Sequence, residues 1–360
     1  MLDEKAKLSV VQEDALSEDQ QNETEDVYEK LAFIVDKGQE PTRIDKWVQA
    51  RIEGITRNKL QNGIEAGFLT VNGKVVKANY KTRPGDEVVY MSYVNPDYTE
   101  LKPEPIQLDI VYEDDAVMVI NKPANMVVHP GIGNYTGTLL NGVAYHLLEQ
   151  NPQLNEEVLP RFGLVHRIDK NTTGLIVLAK TPEAASHLAK QFFNHTVNRK
   201  YVALVWGDIQ EEEGTIEAHI ARHKSNRKQF DAYPEGETGK HAITHYKVIE
   251  RFNYTTLVSC VLETGRTHQI RVHMKHIGHT LFNDWEYGGD RILKGTIYTK
   301  YKQFVDNCFE ACPRCALHAA TLGFEHPTTG KHMSFESPLP ADMEAVITKW
   351  RNYKSSAHSL

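Results

Sequence analysis

The chain has 360 residues, long enough for two or three domains, and its 40% hydrophobic content is ordinary for a globular protein. No apolar run approaches the ~18 residues that a membrane-spanning helix needs, and the acidic N-terminus lacks the apolar segment of a signal peptide. The four cysteines, three of them between residues 308 and 315, are too few and too clustered for a secreted disulfide scaffold. These features predict a cytoplasmic protein with reduced thiols and no membrane partner.

The net charge of −7 comes from one end of the chain. Residues 1–30 contain ten acidic residues and three lysines, whereas the remaining residues contain 38 charges of each sign. Residues 1–27 also lack apolar periodicity, which predicts an acidic, disordered tail. The acidity of the whole chain therefore does not exclude a nucleic-acid partner, because charge acts locally.

Residues 28–92 predict a small separate domain. Ile44 and Val48 stand at helical spacing, and the next helical stretch ends before Gly67, a residue type common at helix C-termini. An Asn-Gly turn at residues 72–73 joins two strand-like runs, which predicts a hairpin.

This small domain is basic within an acidic protein. Residues 41–90 contain nine Lys or Arg and five acidic residues, a local charge of +4. Such a patch is either a phosphate-binding face or a solvated surface, and charge alone does not decide between them. Residues 93–107 follow, with three prolines and no periodicity, and they predict a linker.

The stretch "TRIDKWVQARIEGITRNKLQNGIEAGFLTVNGKVVKANYKTRPGDEV" resembles a small α-L RNA-binding domain. That domain is shared by a small-subunit ribosomal protein of the S-four type and tyrosyl-tRNA synthetases. The resemblance implies a buried core that includes Ile44, Val48 and Leu60. It also implies four RNA-contacting residues, which are Arg43, Arg57, Lys59 and Lys74.

Residues 108–353 predict a larger domain in which strands dominate. Several strand-like runs follow one another without an intervening helix, which indicates an α+β fold with a mixed, mostly antiparallel sheet. Strand-like runs lie at residues 108–114, 116–123, 174–181, 200–209, 241–252, 255–265 and 316–327. Helical patterns lie near residues 138–150, 183–195, 267–277 and 341–353.

A polar loop, "HRIDKNTTG", leads directly into the apolar run that begins at Leu175. Asp169 within it is a candidate for an ion pair, a turn cap, a metal ligand or a catalytic group. Taken alone, the residues favour the first two, because a carboxylate near arginines in a loop is commonly structural. One Asp beside one His is not a metal-ligand set.

Two further segments have a superficial likeness to metal sites. The histidines of "THQIRVHMKHIGH" do not match helical or known zinc spacings, and core and capping roles are favoured for His273, His276 and His279. The group formed by His318 and three cysteines is interpreted as incidental thiols near the last strand, at Cys308, Cys312 and Cys315. We predict no metal site.

The segment "HRIDKNTTGL" resembles the central motif of the RluA group of pseudouridine synthases, which modify ribosomal RNA and some tRNA. Four other segments resemble the remaining motifs of that group, in the same order and spacing between residues 108 and 340: "INKPANMVVHPG", "RKYVALVWG", "LETGRTHQIRVHMKHIGH" and "ALHAATLGFEHP". The chain departs from the usual pattern at Asn283 and Trp285, where glycine and proline are common, and at Cys315, where glutamine is common.

The resemblance implies a catalytic set and no cofactor. Asp169 is expected to act as nucleophile or base, Arg271 to keep it ionised, and Tyr201 to stack on the target base and transfer a proton. Arg167 is expected to fill the gap or hold the phosphate where the uridine leaves the RNA stack. No cofactor or metal is expected, because the product is an isomer of the substrate.

Other basic residues are predicted to contact RNA. The stretch between two strands that contains Arg222, Lys224 and Arg227 is interpreted as a hairpin loop that grips phosphates, with a solvated loop as the alternative. Arg266 is a further candidate from the late motif.

The small domain, together with residues 129–141, is most similar to the D type of the group, which acts on large-subunit ribosomal RNA. We therefore predict a monomeric enzyme that isomerises uridines in that RNA. The alternatives are the same chemistry on another ribosomal site or on tRNA, and a non-catalytic RNA-binding factor for ribosome assembly. The sequence does not identify the target uridines, the point of attack on sugar or base, or the role of the tail.

Overall fold

The computed structural model describes residues 28–52, 55, 57–93, 101–131, 134–155, 158–226, 229–235 and 237–357. The predicted tail at residues 1–27 lies outside these ranges, as do residues 94–100 of the predicted linker and Arg227. None of the described helices is both long and apolar enough to cross a membrane.

The small domain has a four-stranded sheet and two short helices. The sheet is antiparallel throughout, in the order β1-β4-β2-β3. Ile44, Val48 and Leu60 are fully buried, so the predicted core is confirmed. Its elements are β1 (Tyr28–Ile34), α1 (Ile44–Gln49), α2 (Arg57–Glu65), β2 (Leu69–Val71), β3 (Lys74–Val75) and β4 (Glu87–Tyr93).

Two glycine-containing turns in this domain form as predicted. Asn72 and Gly73 both have positive φ, 49° and 75°, which is the backbone of a type I′ hairpin turn between β2 and β3. Gly67 follows α2 with φ 81°, and the adjacent Phe68 N–H donates to the Gly63 carbonyl at 2.9 Å. The sequence therefore specifies both the turn between β2 and β3 and the C-terminal end of α2.

The large domain is built on a ten-stranded sheet. Its strands are β5 (Ile110–Glu113), β6 (Val117–Lys122), β7 (Thr173–Ala179), β8 (Asn198–Trp206), β9 (Glu213–Arg222), β10 (Phe230–Tyr233), β11 (Lys240–Arg251), β12 (Thr255–Leu262), β13 (Leu317–Glu325) and β14 (His332–Glu336). They run in the order β10-β9-β11-β12-β8-β13-β7-β6-β5, with β14 paired to β13. Only the β7–β13 pair is parallel among these described strands, so the predicted mixed, mostly antiparallel α+β fold is confirmed.

Five helices cover this sheet and its ends. They are α3 (Leu139–Gln150), α4 (Pro182–Phe193), α5 (Gln269–His276), α6 (Thr299–Ala311) and α7 (Ala341–Ala357). Helices α3 and α4 contribute Leu140 and Leu188 to one apolar core, and α7 contributes Trp350 to a second core with Trp206 of β8. The two cores fix the sheet that carries the loops described below.

Four elements of the large domain have no range in the sequence prediction. Strands β9 and β10 are the two strands that flank the predicted basic loop, and β9 alternates, with Ile216, Ala218 and Ile220 buried. Strand β14 has no buried residue, so little apolar periodicity marks it. Helix α6 buries only Tyr301, Val305 and Cys308 of thirteen residues, too narrow an apolar stripe to stand out in a lysine-rich segment.

The described part of the predicted linker packs on the large domain. Asn141 of α3 donates its side-chain amide to the Lys102 carbonyl at 2.7 Å, and its own carbonyl accepts the Glu104 N–H at 3.0 Å. Leu101 is buried. The small domain contacts α4 directly, because the Lys190 ammonium donates to the Gly67 carbonyl at 2.9 Å.

Candidate active site

The polar loop before β7 is held at both ends. His166 is buried, accepts the Val177 N–H on Nε2 at 3.0 Å and stacks on Phe192 with ring centroids 4.3 Å apart. Burial lowers the pKa of His166 to about 3, so it is a neutral structural residue at pH 7. Gly174 has φ 109°, and a Cβ there would lie 2.2 Å from the Ala319 carbonyl oxygen, so only glycine allows this approach of β7 to β13.

Lys122 supports the loop from β6. Its ammonium is fully buried and donates to three carbonyls, those of Pro123 at 2.8 Å, Met126 at 2.9 Å and Lys170 at 3.1 Å. Burial lowers the pKa of Lys122 to about 7, although nearby Asp169 opposes the shift. The Lys170 carbonyl belongs to the residue after Asp169, so Lys122 fixes the backbone beside that carboxylate.

Arg314 supports the same loop from the other side. Its guanidinium donates to the Asn171 and Leu317 carbonyls at 3.1 Å each. It also forms a bidentate pair with Asp342 at the start of α7, at 2.6 and 2.9 Å. Because Arg314 is 5% exposed, these bonds tie the loop to β13 and α7 within the interior.

Arg271 on α5 binds three carboxylates at once. It donates to Asp169 at 3.1 Å, forms a bidentate pair with Asp284 at 2.7 and 2.8 Å, and contacts Glu286. Burial would lower the pKa of Arg271, but the hydrogen bonds and charge of Asp284 raise it well above its usual value. The Arg271 guanidinium is therefore permanently charged, and its orientation is set mainly by Asp284.

The same contact sets the ionisation of Asp169. Burial raises the pKa of this carboxyl, and the neighbouring His268 and Arg271 lower it by more, so the net shift is downward. His268 lies 3.9 Å from Asp169, but burial lowers the pKa of His268 itself, which leaves the ring neutral near pH 7. At pH 7, Arg271 is therefore the cation in contact with Asp169 that favours its ionised form, and the charge of Arg167 adds to the lowering of the Asp169 pKa.

A cleft of about 550 Å³ opens above this group. Its wall includes three cations at positions 167, 170 and 222, and Phe230, against which Arg222 lies at 5.3 Å from the ring centroid. His268 also lines the cleft, and its Nδ1 is 2.8 Å from the Tyr287 hydroxyl. The cleft thus has an anionic group at its floor and basic groups on its wall, an arrangement suited to a polyanion whose reacting part must reach a carboxylate.

Most of the predicted residues of the large domain converge on this cleft. Asp169, Arg271, Arg167 and Arg222 line it. Tyr201 of β8 is buried and lines a small adjoining cavity of about 10 Å³ together with Asp169 and Arg271. That volume holds about one water molecule, so the space beside Tyr201 is nearly closed in the free protein.

Two predicted RNA contacts lie away from the cleft lining. Lys224 is exposed in the loop between β9 and β10, with its ammonium 5.5 Å from the Tyr233 ring centroid. The Arg266 guanidinium donates to the His241 carbonyl at 3.1 Å, which directs it along β11. Arg227 lies outside the described residues, so its role stays a prediction.

Two of the four predicted contacts of the small domain, Arg43 and Arg57, lie around one buried carboxylate. Asp45 accepts a bidentate pair from Arg43, at 3.1 and 2.8 Å, and lies 3.8 Å from Arg57. Lys74 is exposed in the hairpin strand β3. Lys59 belongs to α2, but its side chain lies outside the described part of the structure.

The cysteines occupy interior positions. Cys308 and Cys312 are fully buried in the core that contains Trp206, and Cys315 lies beside Asp284 with Sγ 3.4 Å from Oδ2. Burial raises the pKa of the Cys308 and Cys312 thiols to about 12. Across the described ranges, no three His, Cys, Asp or Glu residues are grouped so that they could hold a metal ion.

The groups that position Asp169 from a distance are not evident in the sequence. Asp284 and Glu286 orient Arg271, and Arg314 with Asp342 supports the loop. Their shared signal is a charged residue inside an otherwise apolar or glycine-rich segment, as in "FNDWEYGG" and "CPRCALH". That signal does not reveal the partner, which lies up to 143 residues away for Arg314 and Asn171.

A strand-rich domain with a buried, arginine-paired carboxylate below a basic cleft, joined to a small basic domain, belongs to the class of RNA-modifying enzymes. Comparison with protein-family models gives the two parts separately: residues 116–276 match RNA pseudouridylate synthase, and residues 42–88 match the S4 domain. An uncharacterized RNA pseudouridine synthase of Chlorobaculum parvum is 47% identical over 332 residues, 91% of this chain and 100% of that protein.

Other similar proteins are also RNA pseudouridine synthases by name. The ribosomal large subunit pseudouridine synthase D of Nitrosomonas europaea is 40% identical over 317 residues, 88% of this chain and 87% of that protein. The solved structure of human RNA pseudouridylate synthase domain containing 4 has the same fold, with a TM-score of 0.53, 21% identity, and coverage of 67% of this chain and 92% of that one. The chain belongs to the RNA pseudouridine synthase family and is an isomerase acting on RNA, which confirms the resemblance to the RluA group.

Proposed function

We propose that this protein converts uridines of large-subunit ribosomal RNA to pseudouridine, with Asp169 as the reacting carboxylate. Relatives named ribosomal large subunit pseudouridine synthase D support the substrate, because they match across both domains at about 40% identity. The proposal includes action as a monomer in the cytoplasm.

The observation that carries the proposal is the contact between Asp169 and Arg271 at the floor of the cleft. Isomerisation breaks the bond from C1′ to N1, forms a bond from C1′ to C5, releases the hydrogen of C5 and adds a proton to N1. Atoms and charge balance without an oxidant, so the enzyme needs only a group that attacks or deprotonates the nucleoside. Asp169 suits that task because Arg271 keeps it ionised while its side chain is only 16% exposed.

Tyr201 is the proposed platform for the detached base. It lies on β8 and shares a cavity with Asp169 and Arg271, so a flipped uracil between Tyr201 and the carboxylate would contact both. The cavity has to widen to admit a base, which couples catalysis to RNA binding. The hydroxyl of Tyr201 is the proposed route for the proton that leaves C5.

The basic groups are proposed to hold the RNA backbone. Arg167 and Arg222 line the cleft wall, with Lys224 beyond the rim and Arg266 beside β11. In the small domain, Arg43, Arg57, Lys59 and Lys74 would bind a second segment of the same RNA. Contacts of this kind supply affinity that falls with salt and carry little sequence information.

The test is tritium release from large-subunit ribosomal RNA that carries uridine tritiated at C5. We expect the wild type to release tritium and Asp169→Asn to release none above background, because the amide is neither a nucleophile nor a base. RNA affinity should change by less than about tenfold (~1.4 kcal/mol), since the amide keeps the shape of the carboxylate.

Asp290→Asn is the matched control, because this exposed acid lies outside the cleft lining. Full activity of Asp169→Asn would remove Asp169 from the mechanism. Chemical mapping of pseudouridine in ribosomal RNA and tRNA from a deletion strain identifies the substrate, and loss from tRNA alone would replace the large-subunit assignment.

A further inference from the structure

Trp285 is an exposed indole at the edge of the catalytic cleft. Trp285 is one of the residues that line the cleft, and it is 60% exposed to solvent. The other three tryptophans of the chain, Trp47, Trp206 and Trp350, are at most 1% exposed. No ring or hydrogen-bond partner for Trp285 exists among the described residues, so packing does not explain it.

The loop that carries Trp285 is held by several hydrogen bonds. The Asn283 N–H donates to the Gly289 carbonyl at 3.0 Å, and the Gly289 N–H donates to the Asp284 carbonyl at 2.8 Å. The Asn283 amide donates to the Cys312 carbonyl, and the Trp206 indole N–H donates to the Gly289 carbonyl, both at 2.8 Å. An indole on a loop held in this way can bind a ligand with its face while the loop backbone loses little further conformational freedom.

The surroundings of Trp285 fit a nucleic acid rather than a protein. The same cleft is lined by Arg167, Lys170 and Arg222, which complement phosphates. Thr267 also lines the cleft, and its hydroxyl oxygen is buried and has no hydrogen-bond partner in the described structure. A hydroxyl without a partner at the cleft is free to bond to a ribose or phosphate oxygen of a bound ligand.

We propose that Trp285 stacks on an unpaired nucleobase of the RNA substrate next to the target uridine, and that Thr267 bonds to the sugar–phosphate of the same segment. This inference rests on the proposed function, since it assigns a binding site to the nucleotide next to the reacting uridine. Stacking holds the displaced strand open while the target base enters the cavity beside Tyr201. Because every base has a π-face, the contact selects unpaired structure rather than sequence.

Fluorescence tests the contact directly, because Trp285 is the one tryptophan that solvent reaches. In the Asp169→Asn background, which is designed to prevent turnover, a synthetic RNA fragment containing the mapped uridine should quench tryptophan emission and protect it from acrylamide. The same titration with Asp169→Asn/Trp285→Phe should show neither effect. Equal quenching in both proteins would overturn the proposal.

Kinetics test the consequence. Trp285→Ala should lower kcat/KM for the fragment by about 5- to 150-fold while kcat at saturating RNA stays within about twofold, because the stack contributes to binding before and during the reaction. Trp285→Phe keeps an aromatic face and should stay within a few-fold of wild type. Tyr298→Ala, an exposed aromatic outside the cleft lining, is the matched control.

RNA fragments with one abasic site each locate the stacked base. At a single flanking position, the abasic site should lower kcat/KM of the wild-type protein as much as Trp285→Ala lowers it with intact RNA. The two changes together should lower kcat/KM no further than either change alone. Additive losses at every position, or an unchanged kcat/KM for Trp285→Ala, would disprove the stack. Absence of tritium release by the wild type would instead reject the proposed function.

Discussion

The catalytic cleft and the small domain hold their charged groups in opposite ways. The Arg271 side chain is 7% exposed and binds three carboxylates, whereas the side chains of Arg43 and Arg57 are 43% and 57% exposed around a single buried Asp45. In the cleft, desolvation makes each pairing strong and each loss costly. In the small domain, water and salt screen the cations, which suits reversible attachment to a phosphate backbone. The comparison separates groups that set chemistry from groups that set affinity.

The largest expected effect is that of Arg271→Met. The change leaves Asp169 and Asp284 buried without their cation, so the free energy of unfolding should fall by about 3–5 kcal/mol. Any remaining tritium release should decline at a higher pH than in wild type when the solution is acidified, because burial alone raises the pKa of Asp169. Chemical denaturation and a pH profile of tritium release measure the two effects.

Arg271→Lys is the matched variant, since it keeps the charge but not the bidentate geometry. It should recover part of the stability and less of the activity. If Arg271→Met has the pH profile of wild type, Arg271 does not control Asp169, and the contrast between the two regions loses its strongest support.

A smaller effect is expected for the pH dependence of stability at Lys122. Its pKa of about 7 in the folded protein is below its value of about 10.4 in an unfolded chain, so between these values the unfolded state holds one more proton. The free energy of unfolding therefore rises with pH over this range, by up to about 1.4 kcal/mol per unit. Lys122→Met should remove that slope, and denaturation at pH 7, 8 and 9 measures it. Equal slopes in the two proteins would contradict the burial of a titrating ammonium.

The smallest effect is expected for Lys74→Gln in the small domain. RNA affinity should fall only a few-fold, and the slope of log affinity against log salt should decrease by about 1, because one phosphate contact is lost. The kcat at saturating RNA should not change. Lys37→Gln, an exposed lysine of the same domain outside the predicted contacts, is the control. A lower kcat for Lys74→Gln would show that the two regions are not separate in function.

The sequence predicts local features of this protein well. The Asn72–Gly73 turn, the entry into β7 at Gly174 and the polar loop around Asp169 follow from residue types at short spacing. The pairing of Asp169 with Arg271 came from family resemblance, because no local pattern connects residues 102 positions apart.

What the sequence did not predict depends on long-range packing. Asp284 lies between the unusual residues Asn283 and Trp285, and Arg314 lies between Cys312 and Cys315, but no local pattern indicates that both fix the geometry around Asp169. Helix α6 and strand β14 were missed because each buries too little apolar surface to show periodicity. Their positions are set by the sheet and core against which they pack, rather than by their own composition.

The parallel contact between β7 and β13 also has a consequence for the order of events during synthesis. The loop that contains Asp169 receives hydrogen bonds from Arg314, and Thr173 bonds to the Leu317 carbonyl, 144 residues further along the chain. A ribosome completes this loop long before it makes the residues that hold it. A nascent chain that stops before residue 314 therefore contains the whole polar loop but lacks the contacts from Arg314 and the Leu317 carbonyl that hold it.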